Sequence, residues 1–151
     1  MADWAEPELD PIDLGDLAST LRSRARCHCF HRNAHQSWKR DAYPHVDLMR
    51  EALIALTKAA IEYRRLGCQL GMVPDDWFKH EWELNLASTD QYMSKQRLDS
   101  FDFDGKTHSR LPHLKLGDNT SPNEVGRVYF AMDAEGERFI VDHVGLKLYG
   151  L

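Results

Sequence analysis

Between Val46 and Tyr63 the residues Val46, Met49, Leu53, Leu56, Ala60 and Tyr63 recur at alternating steps of three and four. Arg50, Glu51, Lys58, Glu62 and Arg64 fill the rest of the wheel. At 3.6 residues per turn that spacing stacks the apolar side chains on one face, so the stretch predicts an amphipathic helix. Such a face must be buried against another element, which commits the chain to a packed core. Asp47 is placed to cap the helix start and Gly67 to end it.

What lies on either side differs in kind. Upstream, Leu17 and Leu21 start a helical pattern after Asp16, and it runs through an Arg/Cys/His-rich stretch toward Trp38 and closes at Pro44. Downstream, Asp75 and Asp76 open another helix after Pro74, with Trp77, Phe78, Trp82, Leu84 and Leu86 as its aromatic and apolar face. A short helix capped at Ser88 or Thr89 is expected through Tyr92, Met93 and Leu98. From residue 101 the period becomes two. Phe101–Phe103, His113–Leu116, Arg127–Met132 and Arg138–Val144 read as strands, with Asp104-Gly105 and Asp133–Gly136 as hairpin turns. The expected fold is therefore α+β: a helical N-terminal two thirds packed on a small C-terminal antiparallel sheet of three to four strands. It forms one domain over 1–151, with an acidic extended arm over 1–15, a helical part over 16–100 and the sheet over 101–151.

Composition bears on where such a chain works. It is 42% hydrophobic and 28% charged, as a globular domain is, and no window reaches the roughly 18 apolar residues of a membrane span. The first residues lack the basic and apolar regions of a signal peptide. Three cysteines, Cys27, Cys29 and Cys68, are odd in number and too few for a disulfide scaffold. A cytoplasmic protein with reduced thiols and no membrane partner is expected. The net charge of −5 is unevenly spread: residues 1–21 hold six acids and no Lys or Arg, while 22–65 hold ten basic residues against four acids. Either this is an intramolecular charge match, or the arm covers a surface meant for a polyanion.

Two stretches carry residue types suited to chemistry. Cys27, Cys29, His31 and His35 are ligand types for zinc, and in a helix Cys27, His31 and His35 lie four apart on one face. Their spacing matches no standard finger, and a polar helix face with Cys29 packed inward accounts for them too. A structural zinc is one expectation, and no other cofactor is. The same region interleaves Arg22, Arg24, Arg26, Arg32, Lys39 and Arg40 with Phe30 and Trp38, a composition that suits phosphates and bases or, equally, a solvated helix face.

The sheet offers the second. Alternation sends Val128, Phe130 and Met132 to the core and Arg127 and Tyr129 to the other face, where His113 and Lys115 join them. A contribution from Asp142 or His143 depends on strand register. These types suit metal-independent RNA cleavage: His or Tyr moves protons at the 2′-hydroxyl while Arg and Lys stabilise charge on the phosphate. A solvated sheet face is the plain alternative.

The run Gly126-Arg127-Val128-Tyr129-Phe130, with Ile140-Val141-Asp142-His143-Val144-Gly145-Leu146-Lys147, resembles the C-terminal hairpin of RelE/HigB-type bacterial toxins. The resemblance spans residues 110–149. It implies mRNA cleavage, free or on the ribosome, and a partner protein such as an antitoxin, with Arg127 binding phosphate and His143 and Lys147 contributed by the closing strand. This chain departs from the family in being acidic and in carrying a hundred residues ahead of the matching part. The function expected is an RNA-directed toxin-like protein or ribonuclease acting through Arg127, Tyr129, His113, Lys115 and His143. The rival is a non-enzymatic interaction module, or subunit of a larger assembly, that uses the Trp77/Phe78/Trp82 face.

Overall fold

A computed structural model of the chain describes residues 14–24, 28–89, 94–95, 97, 99–117 and 124–147. The elements run α1 (Leu14–Arg24), β1 (His28–Phe30), α2 (Arg32–Asp41), α3 (Val46–Arg65), α4 (Pro74–Trp82), β2 (Leu86–Ala87), β3 (Ser100–Phe103), β4 (Lys106–Ser109), β5 (His113–Leu116), β6 (Gly126–Asp133) and β7 (Arg138–Leu146). No helix among the described residues is long and apolar enough to cross a membrane.

The helix that constrains the sequence forms as its spacing predicts. Met49, Leu53, Leu56, Ala60 and Tyr63 of α3 are all buried. Its end is a two-bond closure, Gly67 N–H to Arg64 O at 3.0 Å and Cys68 N–H to Tyr63 O at 2.9 Å, with Gly67 in the left-handed region. Asp47 lies in the first turn rather than at the cap, which is His45 and makes no side-chain capping bond. α4 begins with Pro74 followed by Asp75 and Asp76: proline loses no helix bond at a first position, and the two carboxylates suit the positive end of the helix dipole.

The sheet corrects the sequence-based expectation. It has five strands in the order β1-β7-β6-β5-β2, and β1 pairs with β7 in parallel. Helices and strands interleave along the chain, so the sheet is not a C-terminal block of three or four antiparallel strands. Two of its strands come from the supposed helical part. Residues 28–30, read as mid-helix, form β1: Cys29 packs with Ile140 and Phe101 on one side of the sheet, while Phe30 packs into the main core. Leu86, read as the end of an aromatic helix face, pairs with Leu114, because α4 stops at Trp82 and Glu83 turns left-handed (φ 54°). Leu14 and Gly15, read as part of the arm, open α1. The arm's first thirteen residues and most of the helix expected after Ser88 lie outside the described residues.

β3 and β4 form a separate two-stranded hairpin, closed by Asp104 (φ 52°) and Gly105 (φ 75°) as the Asp-Gly signal predicts. It covers one side of the main sheet, with Phe101 and Phe103 against Ala131 and Ile140. The opposite side carries the main core. Leu114, Val128, Phe130, Phe139, Val141 and Val144 pack there with Leu17 and Leu21 of α1, Leu53 and Leu56 of α3, and Phe78 of α4. Ring contacts stitch this layer: Tyr63 to Phe139 at 4.9 Å and Phe78 to Phe130 at 5.8 Å between centroids.

One irregularity sets the register. Tyr129 pairs with His143 but Phe130 pairs with Val141, so Asp142 is an extra residue on β7. This bulge lets Phe139, Val141 and Val144 all reach the same core despite the odd step from 141 to 144.

β7 also meets α2 in an unusual way. β1 pairs with residues 139–141 of β7, and beyond them α2 takes the place of a strand. The Asn33 amide donates to Asp142 Oδ1 at 2.9 Å, Ser37 Oγ accepts the Val144 N–H at 3.0 Å, and Asp41 Oδ2 accepts the Leu146 N–H at 2.9 Å. Four helical residues rise about 6 Å and two strand residues about 6.7 Å, so a helix stripe at i, i+4, i+8 stays in step with every second strand residue. Gly145 makes the approach possible. Its backbone is at φ +151°, and a Cβ there would lie 2.5 Å from Asp41 Oδ2.

Candidate functional site

The register brings the five sequence-predicted site residues together. His113, Tyr129 and His143 are direct partners across β5, β6 and β7, and Lys115 and Arg127 face each other in the next row, in line with Gly145. The His113 and Tyr129 rings lie 5.1 Å apart at 33°, and Tyr129 meets His143 edge-on at 5.4 Å. Lys147 sits beyond the strand end, its backbone N–H bonded to Val125 O.

Both imidazoles are held by backbone carbonyls, which only accept. His113 therefore donates from Nδ1 to Leu111 O at 2.5 Å, and His143 donates from Nε2 to Leu146 O at 2.7 Å. Asp41 Oδ2 lies 3.4 Å from the same His143 nitrogen. Burial pushes the His143 pKa below its ordinary value, outweighing the upward pull of the Leu146 carbonyl and the Asp41 carboxylate. Arg127 Nη1 donates to Gly126 O at 2.8 Å. Asp142 accepts from Asn33 and stands 3.1 Å from Arg110 Nε, an ion pair whose donor is not aimed along a hydrogen bond.

This face is closed. His113 and Arg127 are each 4% exposed, His143 3% and Tyr129 0%; only Lys115 is half-buried. A catalytic group must come within hydrogen-bond reach of its substrate. At that exposure four of the five form a buried polar layer, in which ring contacts join His113, Tyr129 and His143 and backbone carbonyls accept from His113, His143 and Arg127.

The Cys/His stretch is divided by the strand that replaces its helix. Cys29 Sγ is directed at Phe139 O, 3.7 Å away. His31 caps α2, accepting the Asn33 N–H at Nδ1 (3.0 Å), and its Nε2 lies 3.1 Å from Asp102 O. Both of its ring nitrogens are thus engaged. His35 lies against Phe30, 6.1 Å between centroids, and Cys27 falls outside the described residues. Among the described residues no group of three His, Cys, Asp or Glu is placed to hold a metal ion. Of the basic and aromatic residues in this region, Arg32, Lys39 and Arg40 are exposed on α2, whereas Phe30 and Trp38 pack against the core and do not offer open rings for stacking on bases.

The open apolar surface lies elsewhere. Trp77 and Phe78 are buried, but Trp82, the last residue of α4, is only half-buried. It divides two hollows along α3. One, of about 410 Å³, is lined by Glu51, Ile54 and Lys58 on α3 and by residues 80–83. The other, of about 450 Å³, is lined by Leu66, Leu70, Met72, Trp77 and Trp82, with Glu62 and Glu81 at its wall. Met72 (47%) and Val73 (59%) stand exposed at its edge. Trp82 Nε1 is buried with no hydrogen-bond partner among the described residues. Glu51, Glu81 and Glu83 are exposed, and none of the three forms an ion pair among the described residues, whereas Glu62 is held by Arg65. The sequence signal for this surface was Met72-Val73 immediately before a helix-starting proline, apolar side chains on a connection rather than on a helix face.

Compared with known proteins, the chain matches no family model, no curated protein and no solved structure.

Proposed function

We propose that this chain is a non-enzymatic interaction module, or a subunit of a larger assembly, that docks a protein partner on the α3–α4 face. One observation carries the reading: four of the five residues with catalytic chemistry are buried in the sheet, while Trp82 is only half-buried and Met72 and Val73 are exposed beside α4. Isolated exposed apolar residues are ordinary, but Met72 and Trp82 line one hollow together, with Val73 next in the chain to Met72, and such a set is a feature of docking surfaces. The reading places the protein in the cytoplasm, in keeping with a free thiol at Cys68.

The test is RNA cleavage by the purified protein, beside growth of bacteria induced to express it. Intact RNA and normal growth are expected. Cleavage or growth arrest that Arg127→Ala abolishes in a still-folded protein would overturn the reading.

A second reading, RNA cleavage of the toxin type, is favoured by the two cross-strand rows that gather His113, Tyr129, His143, Lys115 and Arg127. It requires the covered face to open before substrate can bind, and the same assay decides it.

A further inference from the structure

The geometry of the α3–α4 face points to a cationic amphipathic helix of a partner protein as its occupant. This inference rests on the docking reading above and gives it a chemistry. The apolar part of the site is divided: Trp82 separates two hollows of about 410 and 450 Å³ that lie in succession along α3. Amphipathic helices bind such grooves by placing anchor side chains from successive turns, at i, i+3 or i+4, and i+7, into neighbouring depressions. Two depressions on one helix-lined track match two anchors on one helix face.

Charge selects among the occupants. Glu51, Glu81 and Glu83 all line the first hollow, and none forms an ion pair among the described residues; one lysine, Lys58, and His80 share that hollow with them. An exposed carboxylate without a partner is stable in water but attracts a cation brought beside it. Lysines or arginines flanking the anchors of a partner helix would meet these three carboxylates. The same rim argues against other occupants. A nucleic acid or an anionic membrane surface would bring its phosphates against the acids. A second copy docked by two-fold symmetry through the same patch would bring two copies of this carboxylate cluster into one interface.

Trp82 supplies an independent observation. Its indole N–H is buried without an acceptor among the described residues, a costly arrangement for a donor withdrawn from water. The ridge between the two hollows thus carries a donor that the described residues leave without a bond.

The experiment uses the full chain and a fluorescently labelled amphipathic peptide of about 18 residues, five turns of helix, built from Leu on one face and Lys on the other. A peptide with Glu in place of Lys is the comparison. Fluorescence polarisation is expected to show binding of the Leu/Lys peptide, weakened by added salt, and none of the Leu/Glu peptide. Trp82→Ala is expected to weaken binding about 30-fold, as loss of a central aromatic contact does. The double change Glu81→Lys, Glu83→Lys is expected to weaken it roughly 10-fold. Because Glu81 and Glu83 are exposed, that variant keeps its fold, which circular dichroism checks. Absence of Leu/Lys binding, equal binding of both peptides, or indifference to the charge reversal would overturn the inference. So would a Trp82-dependent dimer in sedimentation, which would make a second copy the occupant. None of these outcomes touches the docking reading, which fails on RNA cleavage instead.

Discussion

Two seams between secondary-structure elements of this molecule are built on opposite plans. Where α2 meets β7, the contact is polar and complete. Asn33, Ser37 and Asp41 engage residues 142, 144 and 146 in step, and Gly145 lets the helix approach. Where α3 meets α4, the contact is apolar and incomplete, with Trp82 half-buried between two hollows and its N–H without an acceptor among the described residues. The residues with the most chemistry in their side chains are thus spent on closing the sheet, while residues that read as core are left partly open. A polar group sealed in a core must be satisfied by its neighbours, whereas an apolar group at a surface carries no such requirement and remains available to a partner.

The polar seam breaks most severely at Asp142. Asp142→Ala strands Arg110 and removes the acceptor of the Asn33 amide, and it is expected to cost about 3 kcal/mol in urea unfolding. An effect near zero would mean that the bulge residue holds nothing. Ser37→Ala comes next. It leaves the Val144 N–H buried without its acceptor, with an expected cost of about 2 kcal/mol by the same measurement.

A pH titration sharpens the contrast less drastically. Burial depresses the His143 pKa below 6.5, against the pull of the Leu146 carbonyl and Asp41. The unfolded chain therefore binds the proton first as pH falls. The stability tied to His143 is whole above about pH 6.5 and is lost as pH drops through the depressed folded value. Melting temperature should decline on acidification below that point, and His143→Gln should flatten the decline. The smallest effect belongs to the open seam. Met72→Lys and Val73→Lys should each change stability by no more than about 0.5 kcal/mol, because these side chains already face water. A larger loss from either would show that the α3–α4 face is core rather than a docking surface.

The sequence reading succeeded where periodicity was long. α3 and the paired β6 and β7 carry enough repeats for period 3.6 or 2 to stand out, while the Asp104-Gly105 hairpin was legible from its turn residues, and its return strand Lys106–Ser109 was not. It failed where elements were short. Three residues of β1 and two of β2 offer no period at all, so Cys29-Phe30 was absorbed into a helix and Leu86 into α4's face. The site residues were legible as a set because alternation alone puts Arg127 and Tyr129 opposite Val128 and Phe130. Their rows were not, since the bulge at Asp142 shifts the register by one and leaves no mark in the sequence. Nor was their burial: a strand shows the same polar alternation whether that face meets water or is covered. Trp82 was grouped with Trp77 and Phe78 by helical spacing, and only its place at the end of α4 leaves it partly open.

The polar sheet face is closed while the surface beside Trp82 is partly open. Diethylpyrocarbonate labelling, read by mass spectrometry at individual histidines, tests it directly, because the reagent attacks neutral imidazoles it can reach. His80, exposed on α4 beside the first hollow, should react readily, and His113 and His143 should stay protected until the protein is unfolded. Labelling of His113 and His143 in the folded protein at the rate of His80 would contradict the account. It would show the row around Tyr129 to be open in solution and return RNA cleavage to first place.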